Sequence, residues 1–342
     1  MATSAAHTLP LLRVEGSHYE VGLQIGAATA AAVASRAEAV PEGVLAAAQP
    51  YLAVTRRELP WLWEELCGVA EGAGVAPERV FAASIEELDE DIYDRDGRCS
   101  DLAAGPPATA DGHIWIAHNN DLPAATEDDV VAIEWRVPGD PTVLTIGIGP
   151  WISVGFNSAG LALTGNELAP NDNRVGIPRL LGVRDQVRRT TVEGAVGAAL
   201  HPHRASSYNT VFCHRDGEIV SVEGSATDCE LLRPDKRGTL AHTNHYVGSR
   251  MKRYEADVAG ARRSAVRYRR ALRWLAEGEI TRTTLRAALS DHSDAPESIC
   301  RHSQHGSNSK TVFWCVADVT VGEITFGRGN PCDSEEQLYV FA

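Results

Sequence analysis

Apolar positions recur at helical spacing through the first ninety residues of this chain, then alternate or run together as strands do. Ser17-His18-Tyr19-Glu20 has capping-box spacing and precedes Val21, Ile25, Ala28 and Ala32 on one helical face. Pro60-Trp61 opens a second helix through Leu62, Leu66, Val69 and Ala70, closed by Gly72 and Gly74, and Pro77 to Leu88 gives a third. From about residue 113 the segments are short and β-rich: His113 to Ala117, Val130 to Trp135, Val143 to Ile146 and Leu161 to Thr164. Helical patterning returns at Pro178 to Gln186 and Val192 to Leu200. Strands follow at Thr210 to Cys213, Ile219 to Glu223 and Cys229 to Leu232. A long helix over Tyr254 to Ala276 and a short one over Thr283 to Leu289 precede closing strands at Thr311 to Val319, Glu323 to Phe326 and Gln337 to Phe341. Strand groups interleaved with helices, without repeats or a long linker, predict one compact α+β unit of layered sheets covered by helices.

The length of 342 residues and an apolar fraction of 44% supply a substantial core. A formal charge of −14 provides no basic field for phosphate and argues against a nucleic-acid partner. The arginines at 262, 263, 267, 269 and 270 accordingly read as the solvated face of a helix. Neither a secretory signal nor a membrane-length apolar run is expected, and seven scattered cysteines suit a reduced, cytoplasmic setting.

Candidate chemistry centres on Cys99, in the polar run Asp96-Gly97-Arg98-Cys99-Ser100-Asp101, read as flexible and exposed. Breakage of the bond before Cys99 would unite a nucleophilic thiol with an α-amine of pKa roughly 7.7–8.0, a base suited to neutral pH. Asp121 ends the strand-end run His118-Asn119-Asn120-Asp121. Asn244, in His242-Thr243-Asn244-His245, carries an uncharged amide able to donate to an oxyanion. Singly, such strand-end residues also serve as turn formers.

Several stretches occur in the order found in one family. They are Glu65-Leu66-Cys67-Gly68-Val69-Ala70-Glu71-Gly72-Ala73-Gly74, Gly97-Arg98-Cys99-Ser100, His118-Asn119-Asn120-Asp121-Leu122, Gly155-Phe156-Asn157-Ser158-Ala159-Gly160-Leu161, His242-Thr243-Asn244-His245, Asp291-His292, Pro296 to His302, and Gly329-Asn330-Pro331-Cys332. Together they resemble the isopenicillin N acyltransferase-like (acyl-CoA:6-aminopenicillanic acid acyltransferase) family of N-terminal-nucleophile hydrolases. The resemblance implies a four-layer αββα sandwich made as a precursor. Residues 1–98 would form a helical N-terminal segment that remains associated after cleavage, and 99–342 the catalytic part. Cys99 would attack the Arg98 carbonyl and, once freed, cleave a linear amide through a thioester. Asp121 would orient the Cys99 amine, Asn244 would hold the oxyanion, and Asn119, Asn120, Leu122 and Lys310 would meet substrate.

Three departures bear on specificity and, for the third, on self-cleavage. The family's two tryptophans after the strand are Asn120 and Leu122 here, its arginine before Thr311 is replaced by Asn308 or Lys310, and Arg98 stands where Gly or Ala is usual. Without H-E-x-x-H or C-x-x-C, the runs His201-Pro202-His203, His242 with His245, and Cys300-x-His302 with His305 are not expected to hold metal, and no cofactor is implied. An amidohydrolase for a small acyl or aminoacyl compound is the first expectation. An acyltransferase to an amine and an unprocessed, non-catalytic scaffold are the alternatives, with oligomerisation left open.

Overall fold

A computed structural model describes residues 8–89, 98–303 and 308–341. The chain opens with Leu11–Glu15 (β1), then His18–Ala28 (α1), Ala30–Glu38 (α2), Glu42–Ala47 (α3), Gln49–Glu58 (α4), Pro60–Ala73 (α5) and Pro77–Ala82 (α6). The Ser17 capping box forms as its spacing predicts, and Gly74 ends α5 in the left-handed conformation at φ 71°. α1 and α5 approach until their backbones touch. A Cβ on Gly22 would lie 2.1 Å from the Glu65 carbonyl oxygen, and one on Gly68 would lie 2.1 Å from that of Tyr19. Only glycine permits that separation.

Ser100–Ala104 (β2), Trp115–Pro123 (β3), Val130–Arg136 (β4), Val143–Ile148 (β5), Trp151–Asn157 (β6) and Leu161–Asn166 (β7) follow. After Arg179–Val187 (α7) and Val192–Ala199 (α8) come Asn209–His214 (β8), Ile219–Gly224 (β9), Cys229–Leu232 (β10) and Thr239–His242 (β11). Val258–Ala276 (α9), Arg282–Leu289 (α10), Ser309–Asp318 (β12), Glu323–Arg328 (β13) and Gln337–Val340 (β14) complete the fold. One sheet has the order β1-β4-β5-β6-β7-β8-β9-β10 and the other β11-β2-β3-β12-β13-β14. They meet where β2 and β3 pack on β7; α7 and α8 cover the first sheet, while α9 and α10 cover the second. The result is a four-layer αββα sandwich. One apolar core joins the N-terminal helices to the first sheet, and another lies between the second sheet and α9 and α10.

Three expectations change. The first ninety residues are not wholly helical, because β1 joins the first sheet parallel to β4, Leu11 opposite Ala132. Arg98 is buried at 4% exposure, contrary to an exposed run; Gly97 and His305 lie outside the described residues. Arg267 is 1% exposed, contrary to a solvated face. It belongs to the buried stripe of α9 with Gly260, Ser264, Ala271 and Leu275, pointing into the second sheet. Among the described residues no helix is long and apolar enough to cross a membrane.

Candidate active site

Cys99 immediately precedes β2, which lies between edge strand β11 and β3 in the second sheet. Its backbone N–H donates to Asn244 Oδ1 at 2.8 Å. That oxygen also accepts from the Arg267 guanidinium at 2.9 Å, while Asn244 Nδ2 donates to the Glu167 carbonyl at 3.1 Å. Since Arg267 can only donate, the atom facing it is the oxygen, and the amide orientation is fixed. Arg98 is anchored as well: its guanidinium pairs with Asp257 at 2.8 Å, and Asp257 also caps α9 by accepting from the Gly260 N–H.

The period of two along β3 divides the run at residues 119–122 between two faces. Asn120 Nδ2 faces Cys99 Sγ at 3.5 Å and His118 Nε2 at 3.2 Å. His118 Nδ1 in turn meets the Asp101 carboxylate, both side chains being fully buried. With the Nδ1 proton held by Asp101, Nε2 accepts from Asn120, which aims the second amide hydrogen at the thiol. Asn119 faces the other way, donating to the Leu289 and Ile299 carbonyls at 2.8 and 2.9 Å; its expected contact with substrate is therefore corrected to a tie between the sheet and α10. Lys310 pairs with Glu127 and does not line the cavity, so it too is corrected.

Asp121 is 1% exposed and accepts from Thr311 Oγ1 at 2.7 Å. The β12 register shifts between Thr311, opposite Asp121, and Phe313, opposite Asn120, so that Val312 is an extra residue on β12 at this point. Burial raises the Asp121 carboxyl to about 6, against which the Arg267 charge, the Thr311 hydroxyl and the Arg301 charge act in that order. Burial lowers Arg267 to about 10, with Asp121 opposing. Burial, and next the Asp121 charge, push the Cys99 thiol well above its ordinary range. With Arg98 joined to it, Cys99 is therefore a neutral thiol. Sequence reading placed Cys99, Asp121 and Asn244 as candidates, and the fold gathers them. It missed Arg267, His118 and Asp101; the helical stripe of α9 was the available signal for Arg267.

A cavity of about 670 Å³ opens from Cys99, Asn120 and Asn244. Val40, Ile148, Trp151, Leu163 and Leu180 supply apolar wall, Leu122 contributes beside the thiol, and Glu86 and Glu167 supply carboxylates. Burial raises Glu167 to about 7, opposed first by Arg179.

The profile of a family described as acyl-coenzyme A:6-aminopenicillanic acid acyl-transferase matches residues 108–333. The chain is 26% identical over 288 residues to the acyl-coenzyme A:6-aminopenicillanic-acid-acyltransferase 40 kDa form of Emericella nidulans, covering 83% of this chain and 79% of that one. Among solved structures, a variant of conjugated bile acid hydrolase from Clostridium perfringens aligns with TM-score 0.44 and 13% identity, covering 71% of this chain and 97% of that one. Penicillin V acylase from Agrobacterium tumefaciens aligns with TM-score 0.45 and 10% identity, covering 70% and 85%. The family match spans well over half of the chain, and the protein belongs to the acyl-coenzyme A:6-aminopenicillanic acid acyl-transferase family.

Proposed function

We propose that this protein is a self-processing N-terminal-cysteine enzyme that transfers an acyl group through a thioester, with water as the ordinary acceptor. The observation that carries the reading is the placement of Cys99. Its N–H is held at 2.8 Å by Asn244, its sulfur faces Asn120, and a cavity opens beside it. In the precursor the sulfur attacks the Arg98 carbonyl, the thiol proton passes to the departing Cys99 nitrogen, and water hydrolyses the resulting thioester. Residues 1–98 then end in a carboxylate and Cys99 carries a free amine. The β1–β4 pairing supports retention of the N-terminal segment after the cut.

In the processed enzyme the Cys99 amine takes the thiol proton as sulfur attacks the substrate amide, then delivers it to the leaving amine. Asn244 holds that amine through Oδ1. The Nδ2 hydrogen not given to Glu167 is free for the oxyanion. Asp121 and Arg267 orient this assembly. The apolar wall suits the acyl chain, while Glu86 and Glu167 are engaged by Arg179 at 2.8 and 2.7 Å. Transfer to an acceptor amine is the second reading, favoured by the activity named in the Emericella nidulans relative.

Intact-mass analysis tests processing: wild type should yield pieces parting between Arg98 and Cys99, and Cys99→Ala should remain whole. Native size-exclusion chromatography should keep both pieces together. A panel of N-acyl and aminoacyl amides, with and without an acceptor amine, tests the reaction. Persistent full-length wild type without turnover would support the scaffold reading, and turnover only of a thioester with an added amine would reverse the preference for water.

A further inference from the structure

Two loops far apart in sequence meet beside the second sheet, outside the lining of the cavity. His292, Cys300 and His302 lie between α10 and β12, and Cys332 lies between β13 and β14. Antiparallel pairing of β12 with β13 brings the start of one beside the end of the other, Phe313 opposite Arg328, and so delivers both loops to one place. His292 Nε2 lies 3.0 Å from His302 Nε2. Cys300 Sγ lies 3.7 Å from Cys332 Sγ, and the two sulfurs are 3.8 and 3.5 Å from His302 Nε2. All four donor atoms fall within 4.8 Å of one another.

We propose that His292, Cys300, His302 and Cys332 bind a structural zinc ion. A tetrahedron with Zn–S of about 2.3 Å and Zn–N of about 2.0–2.1 Å requires edges of about 3.8 Å for S···S, about 3.5 Å for S···N and about 3.3 Å for N···N. The four measured edges lie within about 0.3 Å of those lengths, and the N···N edge is the shortest, as the tetrahedron requires. Two thiolates with two neutral imidazoles are also the donor set that favours zinc over magnesium or calcium. Binding displaces one proton from each thiol into solvent and leaves the Zn(Cys)2(His)2 unit electrically neutral. All four positions belong to the protein, as in a structural rather than a catalytic centre.

The surroundings hold the ligands in place independently of the ion. Asn330 Nδ2 donates to Cys300 Sγ at 3.4 Å and to the Arg301 carbonyl at 2.6 Å, a supporting bond that suits a metal-bound thiolate. The Cys300 N–H donates to the Asp291 carbonyl at 2.9 Å, and the Asp291 carboxylate is gripped by Arg270 and Trp274. His292 and Cys332 reach the surface, giving the ion an entry path. The familiar spacings are absent because the fourth ligand is thirty residues beyond His302, across a β-hairpin.

Such an ion would fasten the segment that supports Asp121. Arg301, between ligands Cys300 and His302, donates its N–H to Thr311 Oγ1 at 3.1 Å, and that hydroxyl donates to Asp121. The test uses the full-length protein, purified without chelator, with metal measured by inductively coupled plasma mass spectrometry. One equivalent of zinc is expected, with at least tenfold less in Cys332→Ser and in His292→Ala; the exposed His292 serves if the cysteine variant fails to fold. Cobalt added to the stripped protein should give the visible bands of a tetrahedral ion with thiolate charge transfer, absent from either variant. Wild type with no more zinc than the variants and no such cobalt spectrum would overturn the proposal. So would a Cys300–Cys332 disulfide in protein prepared under reducing conditions.

Discussion

Replacing Thr311 by valine removes one hydroxyl from behind the nucleophile at nearly constant volume. That hydroxyl donates to Asp121 Oδ1 at 2.7 Å in a fully buried setting. A hydrogen bond to a charged group contributes about 1.5–3 kcal/mol, and about 1.4 kcal/mol is a factor of ten, so the variant's Asp121 should be a roughly ten- to hundredfold weaker acid. The carboxyl ordinarily titrates at 3.8 and here at about 6, so the folded state binds its proton more tightly than the unfolded chain does. Its contribution to stability is therefore greatest below the unfolded value and falls by about 3 kcal/mol as pH rises through the folded one. In Thr311→Val the fall should continue to higher pH. At pH 5 both folded proteins carry a protonated Asp121, whereas at pH 8.5 the variant should have lost about 1.5–3 kcal/mol more than wild type. Urea unfolding at the two pH values, in a Cys99→Ala background so that every chain is uncut, measures the difference. An equal loss at both would refute the assignment of the hydroxyl to an ionised Asp121.

Arg267→Met should widen the same pH-dependent gap further than Thr311→Val, because the Arg267 charge is the larger influence holding Asp121 down; a smaller gap would contradict that order. Gly68→Ala should cost about 1–3 kcal/mol or more by forcing α1 from α5. Gly197→Ala, at an exposed position of α8 with nothing within 4 Å of the added carbon, should add about 0.5–1 kcal/mol; differential scanning fluorimetry separates the two. Lys310→Ala should leave KM for any amide substrate within about twofold, since its ammonium engages Glu127 away from the cavity; a tenfold rise would restore it to substrate binding.

The β-rich alternation from residue 113 onward, the capped α1 and the glycine-stopped α5 were legible because each rests on a local pattern. Strand β2, next to the edge of its sheet, was not. Ser100-Asp101-Leu102-Ala103-Ala104 is poor in strand-forming side chains and is held by neighbours on both sides. β1 was hidden similarly, its five residues being strand only because β4 accepts them. Arg267 was misjudged by treating charge as exposure, although its helical phase placed it with Ser264 and Ala271. The run at residues 119–122 could be located but not apportioned: which side chains meet the cavity depends on strand phase, and Asn119 and Asn120 fall on opposite faces.

The bond between Arg98 and Cys99 is moored unequally. On the cysteine side the chain passes at once into β2, where Ser100 stands opposite Asn119 and the ladder continues to Ala104 on both flanks. On the arginine side the anchors are side-chain contacts of a buried guanidinium, the ion pair to Asp257 among them. A cut there would create one end held by a ladder of backbone hydrogen bonds and one held by side-chain contacts. A neutral residue at 257 would remove one of the contacts that keep the new carboxyl end beside the nucleophile, while the sulfur stays where the sheet has put it.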